Sequence, residues 1–330
     1  MTRVFVYEYI SGSATEATPD LLAQGRAMRD AMVTDLAAMA DVRISCAAPT
    51  RELPGLAASG LTLCAPAPGE SPYAFVQREA LRHDVVWVVA PEFDGILLGL
   101  CESVDPARWL GCSGSAISLA ASKQATAEHL AANGIAATQP WRDGDPPGPR
   151  GQRWVVKPEH GAGAEDTYCY RTFDAARTAR AARMAEGEAV VMERWVEGEA
   201  LSVSLLCGAG GTGEVEILSI NRQQIRVDED GKVHYDGVTL DAIGLLSIPG
   251  EWIVKVAQRV IEAMPGLAGF VGVDMVWHPR HGPVVIEVNP RVTSAYVGMS
   301  ALLQRNLARE MLAAHQVAAE MLVDGASHDQ

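Results

Sequence analysis

Two acids and an amide lie inside segments of the chain that are otherwise apolar. Asp274 stands in GVDMV, and Glu287 and Asn289 stand in VIEVNPR. Carboxylates in a buried strand are costly unless a cation or a donor compensates them. Residues two apart in a strand face the same side, so Glu287 and Asn289 project together, and a hairpin would bring Asp274 beside them. Such oxygen ligands suit Mg²⁺. The alternative is three polar side chains at a sheet edge that face solvent.

Two lysines are candidates for binding an anion. Lys157 ends the strand pattern RWVVKP, and the next loop carries Gly161 and Gly163, which let backbone amides approach an anion closely. The loop is not a P-loop, because the G-x-x-x-x-G-K-[ST] motif is absent. An ordinary hairpin turn is the alternative, because a glycine-rich turn alone is weak evidence for an anion site. Lys123 falls near the start of a predicted helix, where the helix dipole disfavours a cation unless a phosphate lies nearby. A solvated lysine is the alternative there.

A polar segment joins two predicted strands in VVMERWVEGEALSVS. A hinge of this kind exposes backbone N–H and C=O groups that can bind the edge of an adenine, while an aromatic or aliphatic side chain packs on the ring. The alternative for Trp195 is a core position. Glu199 and Glu197 are candidates for binding ribose hydroxyls. The hinge candidates are Glu193, Arg194, Trp195 and Val196.

Further polar residues follow predicted strands of the N-terminal third. Glu8, Ser11 and Ser13 stand at the mouth of the first strand, and Glu92 stands at the mouth of another. Open α/β sheets bind ligands at these positions, and an acid there can pair with an ammonium group. Each residue is equally suited to capping a helix or a turn.

The predicted secondary structure that would position these residues differs between the N-terminal third and the rest of the chain. Strand patterns at 4–10, 42–48 and 84–91 alternate with helical patterns such as 19–40. Such alternation predicts a parallel, helix-covered sheet of Rossmann type that ends near Cys112. Residues 11–13 are predicted to form a loop.

The remainder predicts an α+β arrangement. SLAASKQATAEHLAANG predicts one helix that ends at Gly134, with Ser122 or an earlier serine as its cap. A strand, a glycine loop, a strand, a helix and a strand then form a small unit with a flexible flap. From residue 201 the pattern is mostly antiparallel, with a hairpin turn at 228–232 and a closing helix within 296–323.

Composition excludes several classes of protein. The 330 residues are 48% hydrophobic, which excludes disorder, and the length predicts two or three packed units. The net charge of −14 argues against general binding to nucleic acids or membrane surfaces. The six cysteines are scattered without a C-x-x-C pair, which is typical of a cytoplasmic protein. No signal-peptide pattern is present at the N-terminus, and no apolar run reaches about 20 residues.

Taken in order between residues 115 and 299, these motifs resemble the ATP-grasp superfamily. More narrowly, VYEYISGS, APEFDGILLGL, KPEHGAGAEDTY and IEVNPRVTSAYVG are similar to the tyramine–glutamate ligase family of methanofuran biosynthesis. The resemblance implies an α/β and α+β protein with the ATP-grasp fold. It implies a Rossmann-like pre-ATP-grasp domain at 1–114 and an ATP-grasp domain at 115–330, with a flap-bearing part at 115–197 and a metal-site part at 198–330.

The resemblance also implies roles for the candidate residues. ATP would bind with Mg²⁺, or Mn²⁺ in its place, which Asp274, Glu287 and Asn289 would hold. Two departures from D-alanine–D-alanine ligases matter, because Ala200 replaces an acid for ribose and Gly272 replaces an arginine. Glu199 is then the candidate for ribose. The guanidinium for phosphate would come from Arg291, Arg222 or Arg226, although Arg222 and Arg226 are equally suited to being solvated strand residues. The implied catalytic residues are Arg291, Lys157 and Arg222, and the implied ATP-binding residues are Lys123, Lys157, Gly161, Gly163, Glu193, Arg194, Trp195, Val196 and Glu199.

The implied activity is a carboxylate–amine ligase that works through an acyl phosphate. We expect glutamate as the acid and tyramine or a similar amine as the acceptor, with Glu8, Ser11, Ser13 and Glu92 as substrate-binding candidates. One alternative is a peptide-type ligase with another acceptor, and a second is a nucleotide-binding regulatory protein without turnover. The expected partners are small molecules, and a homodimer is compatible with the sequence.

Overall fold

The computed structural model describes residues 1–13, 17–48, 60–161, 163–208 and 215–328, with side chains up to residue 318. The N-terminal part forms a four-stranded parallel sheet in the order β3-β2-β1-β4. The parallel, helix-covered sheet predicted from sequence is therefore confirmed. The strands are β1 (Thr2–Glu8), β2 (Val42–Ala47), β3 (Leu61–Cys64) and β4 (Val85–Val89), and the helices are α1 (Tyr9–Gly12), α2 (Pro19–Ala37), α3 (Pro72–Ala80) and α4 (Ile96–Glu102).

Two predictions for helices were wrong in detail. The loop predicted at 11–13 begins with the last turn of α1, because the Glu8 side chain accepts hydrogen bonds from the N–H groups of Ile10 and Ser11 and so caps a helical turn. The single helix predicted around Lys123 is two helices, α5 (Gly114–Ala121) and α6 (Lys123–Ala132). Ser122 separates them with an extended backbone and caps α6 through its hydroxyl, as one of the predicted alternatives required.

The middle of the chain forms a small antiparallel sheet in the order β6-β5-β7. One helix packs on it, and Trp154, Val156, Ala176 and Met192 form its buried core. The loop between its first two strands contains Gly161 and Gly163, and residue 162 within that loop lies outside the described residues. The elements are β5 (Trp154–Pro158), β6 (Tyr168–Tyr170), α7 (Phe173–Ala185) and β7 (Val190–Arg194).

The C-terminal part contains a five-stranded antiparallel sheet in the order β10-β9-β8-β11-β12. The predicted hairpin at 228–232 joins two of its strands. The predicted closing helix starts later than expected, because a short 3-10 turn and a short helix precede it. The elements are β8 (Glu199–Cys207), β9 (Val215–Val227), β10 (Val233–Ile243), α8 (Ile248–Ala263), β11 (Gly269–His278), β12 (Gly282–Asn289), α9 (Met299–Leu303) and α10 (Leu307–His328).

The N-terminal and C-terminal sheets share a hydrophobic core. Phe5 and Val88 belong to the same buried cluster as Val203 and Val273. A polar contact also crosses between them, since Asp35 on α2 accepts hydrogen bonds from the Tyr296 hydroxyl at 2.6 Å and the Ser300 hydroxyl at 2.5 Å. Within the described residues, no helix is long and apolar enough to cross a membrane.

Candidate active site

A cavity of about 410 Å³ lies where the three sheets meet. Residues of all three sheets line it, including Glu8 at the end of β1, Lys157 at the end of β5 and Asp274 in β11. It brings together most of the residues singled out from sequence. These are Glu8, Lys123, Lys157, Gly161, Gly163, Glu193, Arg194, Trp195, Val196, Asp274, Glu287, Asn289 and Arg291.

The acids in β11 and β12 lie side by side. The two strands pair antiparallel, with Asp274 opposite Glu287 and Gly272 opposite Asn289. The register shifts by one residue directly after the acid pair, and this bulge presents both Ile286 and Glu287 to the cavity. The sequence predicted the hairpin but not the bulge.

Two amide groups hold the carboxylate of Asp274. Gln223 Nε2 donates to one oxygen at 2.9 Å, and Asn289 Nδ2 donates to the other at 3.2 Å. Burial raises the pKa of Asp274 to about 7, and the adjacent Glu287 contributes to that rise, against the effect of the two amides. The sequence analysis did not identify Gln223 as a site residue. Gln223 and Ile225 are two positions apart in β9, so their side chains share the face of the strand that lines the cavity.

The residues at this acid pair fit a divalent cation. Burial and the like charge of Glu287 both oppose ionisation of Asp274, and the positive charge of Arg291 offsets them only in part, because the pKa of Asp274 stays raised. Two carboxylates and the amide of Asn289 are hard oxygen donors of the kind Mg²⁺ takes, with water and ligand oxygens completing its shell. Among the described residues, no three His, Cys, Asp or Glu side chains cluster as a metal site, so the amide would be part of the set.

Lys157 forms a buried ion pair with Glu193. The two side chains, on the adjacent strands β5 and β7, are 7% and 2% exposed, and Lys157 Nζ lies 2.9 Å from a Glu193 carboxylate oxygen. Such a pair costs desolvation energy that its Coulomb attraction must offset. Both residues line the cavity, so the pair places a compact cation and its counterion at the wall.

Lys123 joins the start of α6 to the glycine loop. Its Nζ donates to the Gly161 carbonyl at 2.9 Å. Glu159 also binds the start of the helix, since its backbone carbonyl accepts from Lys123 N at 3.3 Å and its side chain accepts from Gln124 N at 3.1 Å. Carboxylates are favourable at a helix N-terminus, and this one offsets the cost of placing Lys123 there.

The segment after β7 lines the cavity with backbone. Trp195 N–H donates to the Arg153 carbonyl at 2.9 Å, and the Trp195 carbonyl accepts from Gln152 Nε2 at 3.0 Å. The Arg153 guanidinium lies 5.0 Å from the centre of the Trp195 ring. Trp195 is partly exposed and is therefore not the core residue that the sequence left as an alternative. Glu197 pairs with Arg153 at 2.6 Å.

Arg291 is in the cavity wall, and Glu92 holds it. Arg291 Nε and Nη2 donate to the two oxygens of Glu92 at 2.8 and 2.9 Å, and Nη1 donates to the Val292 carbonyl at 3.2 Å. Both side chains are largely buried. Glu92 itself is not among the described residues that line the cavity. The predicted contact between Glu92 and substrate is therefore not supported.

The remaining candidates from the N-terminal part lie at α1. Glu8 lines the cavity, but its two oxygens accept from Ile10 N at 3.1 Å and Ser11 N at 2.6 Å, so it caps α1 as the sequence left open. Burial raises the pKa of Glu8. Ser11 and Ser13 are in or just after α1 and outside the described cavity lining.

Arg222 and Glu199 are not brought to the cavity. The cavity-facing residues of their strands are Gln223 and Ala200, and alternation puts the two neighbours on the opposite face. There, Arg222 Nε donates to a Glu199 carboxylate oxygen. Neither residue can therefore contact a ligand in the cavity without rearrangement of its strand. Tyr235 and Ser294 do line the cavity, are joined by a 2.7 Å hydrogen bond and carried no signal in the sequence.

Family models match most of the chain. Residues 120–295 match the model of the ATP-grasp domain, and residues 42–117 match that of the pre ATP-grasp 3 domain. The chain belongs to the ATP-grasp family.

Two curated relatives are tyramine–L-glutamate ligases. The one from Methanocaldococcus jannaschii is 30% identical over 220 residues, which cover 66% of this chain and 58% of that protein. The one from Methanocaldococcus fervens is 29% identical over 218 residues, covering 66% and 61%. The match thus spans about three fifths of the length of these relatives.

Solved structures show the same fold. A protein from Archaeoglobus fulgidus described as of the ATP-grasp superfamily superposes with a TM-score of 0.67 at 21% identity, covering 95% of this chain and 88% of that chain. D-alanine–D-alanine ligase from Bacillus anthracis complexed with ATP superposes with a TM-score of 0.64 at 15% identity, covering 99% and 100%.

Proposed function

We propose that this chain is an ATP-dependent carboxylate–amine ligase that forms an amide through an acyl phosphate. The observation that carries the proposal is the convergence of Lys123, Lys157 and the acids Asp274 and Glu287 on one cavity. Cations beside an acid pair suited to Mg²⁺ match the charge of a nucleoside triphosphate. The ligase names of the curated relatives support the reaction class. We also propose that residues 1–114 form a pre-ATP-grasp domain and residues 115–330 form the ATP-grasp domain.

The reaction would proceed in two balanced steps. A carboxylate oxygen attacks the γ-phosphorus of ATP, and the bond to the β,γ-bridging oxygen breaks, which releases ADP. The amine nitrogen then attacks the acyl carbon, the bond to the phosphate oxygen breaks, and the nitrogen loses a proton. Held by Asp274, Glu287 and Asn289, Mg²⁺ would supply charge stabilisation at phosphate oxygens. Lys157 and Arg291 would stabilise charge on the transferring group by fixed position.

The nucleotide would lie between the small sheet and the five-stranded sheet. Lys123 and the loop of Gly161 and Gly163 would bind phosphates, and the backbone of 193–196 would bind the base, since all of them line the cavity. The N–H and C=O groups of Trp195 are hydrogen-bonded to residues 153 and 152. In an extended chain the carbonyl of the preceding residue, Arg194, points to the opposite side, where it would be free to bind the base. The cavity-facing residue of β8 near the base is Ala200, which has no side-chain oxygen. Other groups would therefore have to bind the ribose.

The acceptor side of the cavity favours an amine with an apolar body. The N-terminal part of the chain contributes one carboxylate, Glu8, and one amide, Gln24, to a wall that is otherwise apolar. We propose glutamate as the acid and tyramine or a similar amine as the acceptor. A peptide-type ligase with a different acceptor is the second candidate, which the fold shared with D-alanine–D-alanine ligase favours. The apolar wall residues are Ile10, Leu21, Met28, Val89, Ala90, Pro91 and Phe93.

The deciding experiment is a coupled assay for ADP with purified protein, MgATP and glutamate across a panel of amines that includes tyramine. The product masses separate tyramine from other acceptors. No ADP with any amine would defeat the ligase proposal and favour a regulatory nucleotide-binding protein.

The free state of all six cysteines supports a cytoplasmic setting, and the net charge of −14 supports small-molecule partners over nucleic acids.

Removing the Lys123 charge is expected to weaken nucleotide binding. A charge-assisted hydrogen bond contributes about 1.5–3 kcal/mol, so Lys123→Ala should raise the KM for ATP by about 10- to 100-fold. The matched control is Lys255→Ala, which removes an exposed helix lysine outside the described cavity lining. An unchanged KM for ATP in Lys123→Ala would remove this residue from the phosphate site.

Metal affinity is expected to rise with pH. The metal binds the ionised carboxylate, and the pKa of Asp274 without metal is about 7. Below that pH the ionised fraction falls about tenfold per unit, so the apparent Kd for Mg²⁺ should fall steeply from about pH 5.5 to 7 and level off above it. Calorimetric titration of Mg²⁺ in the presence of ADP would measure this. A Kd independent of pH over this range would contradict the assignment of Asp274 as a ligand.

A further inference from the structure

Glu92 belongs to a different sheet from the arginine it holds. It follows β4 in the N-terminal part, whereas Arg291 follows β12 in the C-terminal part. The two side chains are 3% and 10% exposed, and two parallel hydrogen bonds of 2.8 and 2.9 Å join them. A bidentate contact of this kind fixes both the position and the plane of a guanidinium. No other carboxylate in the described part of the chain hydrogen-bonds to Arg291.

The contact leaves part of the guanidinium available. An arginine has five N–H donors. Three of those on Arg291 are used, by the two Glu92 oxygens and the Val292 carbonyl, so one N–H on Nη1 and one on Nη2 remain. Arg291 lines the cavity, and Glu92 is not among the described lining residues. The remaining donors are therefore available to a ligand in the described cavity.

The surrounding charges explain why a holder is needed. Asp274 and Glu287 both act electrostatically on Arg291. A flexible arginine beside two carboxylates would turn toward them and occupy the oxygens proposed for the metal. Glu92 competes for the guanidinium through two hydrogen bonds and satisfies its charge. The acid pair and the arginine can then serve different parts of one ligand.

We propose that Glu92 is a positioning residue that holds Arg291 with two N–H groups directed at an oxyanion of the reacting acid. That oxyanion is either the substrate carboxylate or the phosphoryl group transferred to it, and both present the same paired oxygens. The inference rests on the proposed ligase function for its reaction and replaces the substrate contact that the sequence predicted for Glu92.

A double-mutant cycle tests the proposal. Misplacement of a binding group by about 1 Å can cost about 100-fold in rate, so Glu92→Gln should lower kcat for ADP formation by about 10- to 100-fold. Arg291→Ala should lower it at least as much. If Glu92 acts through Arg291, Glu92→Gln has no further effect on kcat in the Arg291→Ala background. The same fold loss in both backgrounds would overturn the proposal.

Two further variants separate positioning from stability. Asp35→Asn removes a charge from another polar contact between the N-terminal and C-terminal parts, so it should lower the melting temperature without lowering kcat for ADP formation. Glu92→Asp keeps the charge on a shorter side chain and should recover part of the kcat lost in Glu92→Gln. If Asp35→Asn reproduced the kinetics of Glu92→Gln at equal loss of melting temperature, Glu92 would be a structural residue only.

Binding measurements distinguish failure of this inference from failure of the ligase proposal. If the wild type forms no ADP with any amine, the ligase proposal is lost, and the contact is tested by calorimetry with two probes. Orthophosphate and L-glutamate are each titrated into wild type, Glu92→Gln, Arg291→Ala and the double variant in the presence of MgADP. Weaker phosphate binding identifies the phosphoryl group, and weaker glutamate binding identifies the carboxylate. Unchanged affinity for both probes in Glu92→Gln would overturn the inference.

Discussion

Replacing Asp274 with asparagine is expected to abolish most MgATP-dependent ADP formation while leaving the protein folded. Loss of a group that fixes charge at the reacting centre typically costs about 10²–10³-fold in kcat, and loss of a metal ligand should reach at least the upper figure. The substitution keeps the size of the side chain but removes its charge, and its one remaining oxygen can accept from only one of the two amides, Gln223 or Asn289. Glu287→Gln should behave in the same way. Initial rates at saturating Mg²⁺ measure both.

The stability of the Asp274→Asn variant provides an independent check. The pKa of Asp274 is raised to about 7 in the folded protein, above its ordinary value. Ionisation is therefore harder in the folded chain, and stability is lost as pH rises from the unfolded pKa to about 7. At about pH 8 without Mg²⁺, the variant should thus melt at a higher temperature than the wild type. Asp236→Asn, in the same sheet but paired with Arg226, is the matched control and should change neither activity nor this pH profile. Full activity in Asp274→Asn would show that the metal assignment is wrong.

Replacing Lys157 with methionine is expected to reduce both turnover and stability. The variant removes a cation proposed to act on the transferring phosphoryl group, at a cost of about 10²–10³-fold in kcat. It also leaves Glu193, which is 2% exposed, without its counterion. Breaking a buried ion pair on one side costs about 3–5 kcal/mol of folding free energy. Steady-state assays and thermal melts measure the two effects.

A double variant separates the two effects. Lys157→Met with Glu193→Gln removes both charges of the buried pair, so much of the lost melting temperature should return. The activity should not return, because the cation is still absent. Lys255→Met is the control for removal of a surface lysine. If the double variant recovered turnover together with stability, Lys157 would be a structural residue and not a phosphate-binding one.

Local patterns in the sequence predicted the elements that carry the site. Alternation along the strands placed Glu287 and Asn289 on one face, and the short connection between β11 and β12 brought Asp274 beside them. Ser122 was one of the serines predicted as a cap, and a cap can be anticipated from sequence because its side chain bonds only three residues ahead. These features depend on residues close in sequence, where spacing alone fixes geometry.

Contacts between distant segments could not be predicted in this way. Glu92 and Arg291 are 199 positions apart, and no spacing rule connects an acid after one sheet to an arginine after another. Gln223 lies 51 positions from the carboxylate that it holds. The register shift after Asp274 depends on how two strands pack together rather than on either strand alone. Arg222 was left between a phosphate contact and a solvated strand position, because the sequence of β9 alone does not say which face of the strand meets the cavity.

The ion pair between Glu92 and Arg291 limits how this protein can be recombined. A chimera that takes its N-terminal sheet from a relative would bury Arg291 beside a foreign loop. Without an acid at the position of Glu92, that guanidinium would lose its counterion at a junction where both partners are at most 10% exposed. A chimera that exchanges the N-terminal sheet to change acceptor specificity must therefore keep an acid at the position of Glu92.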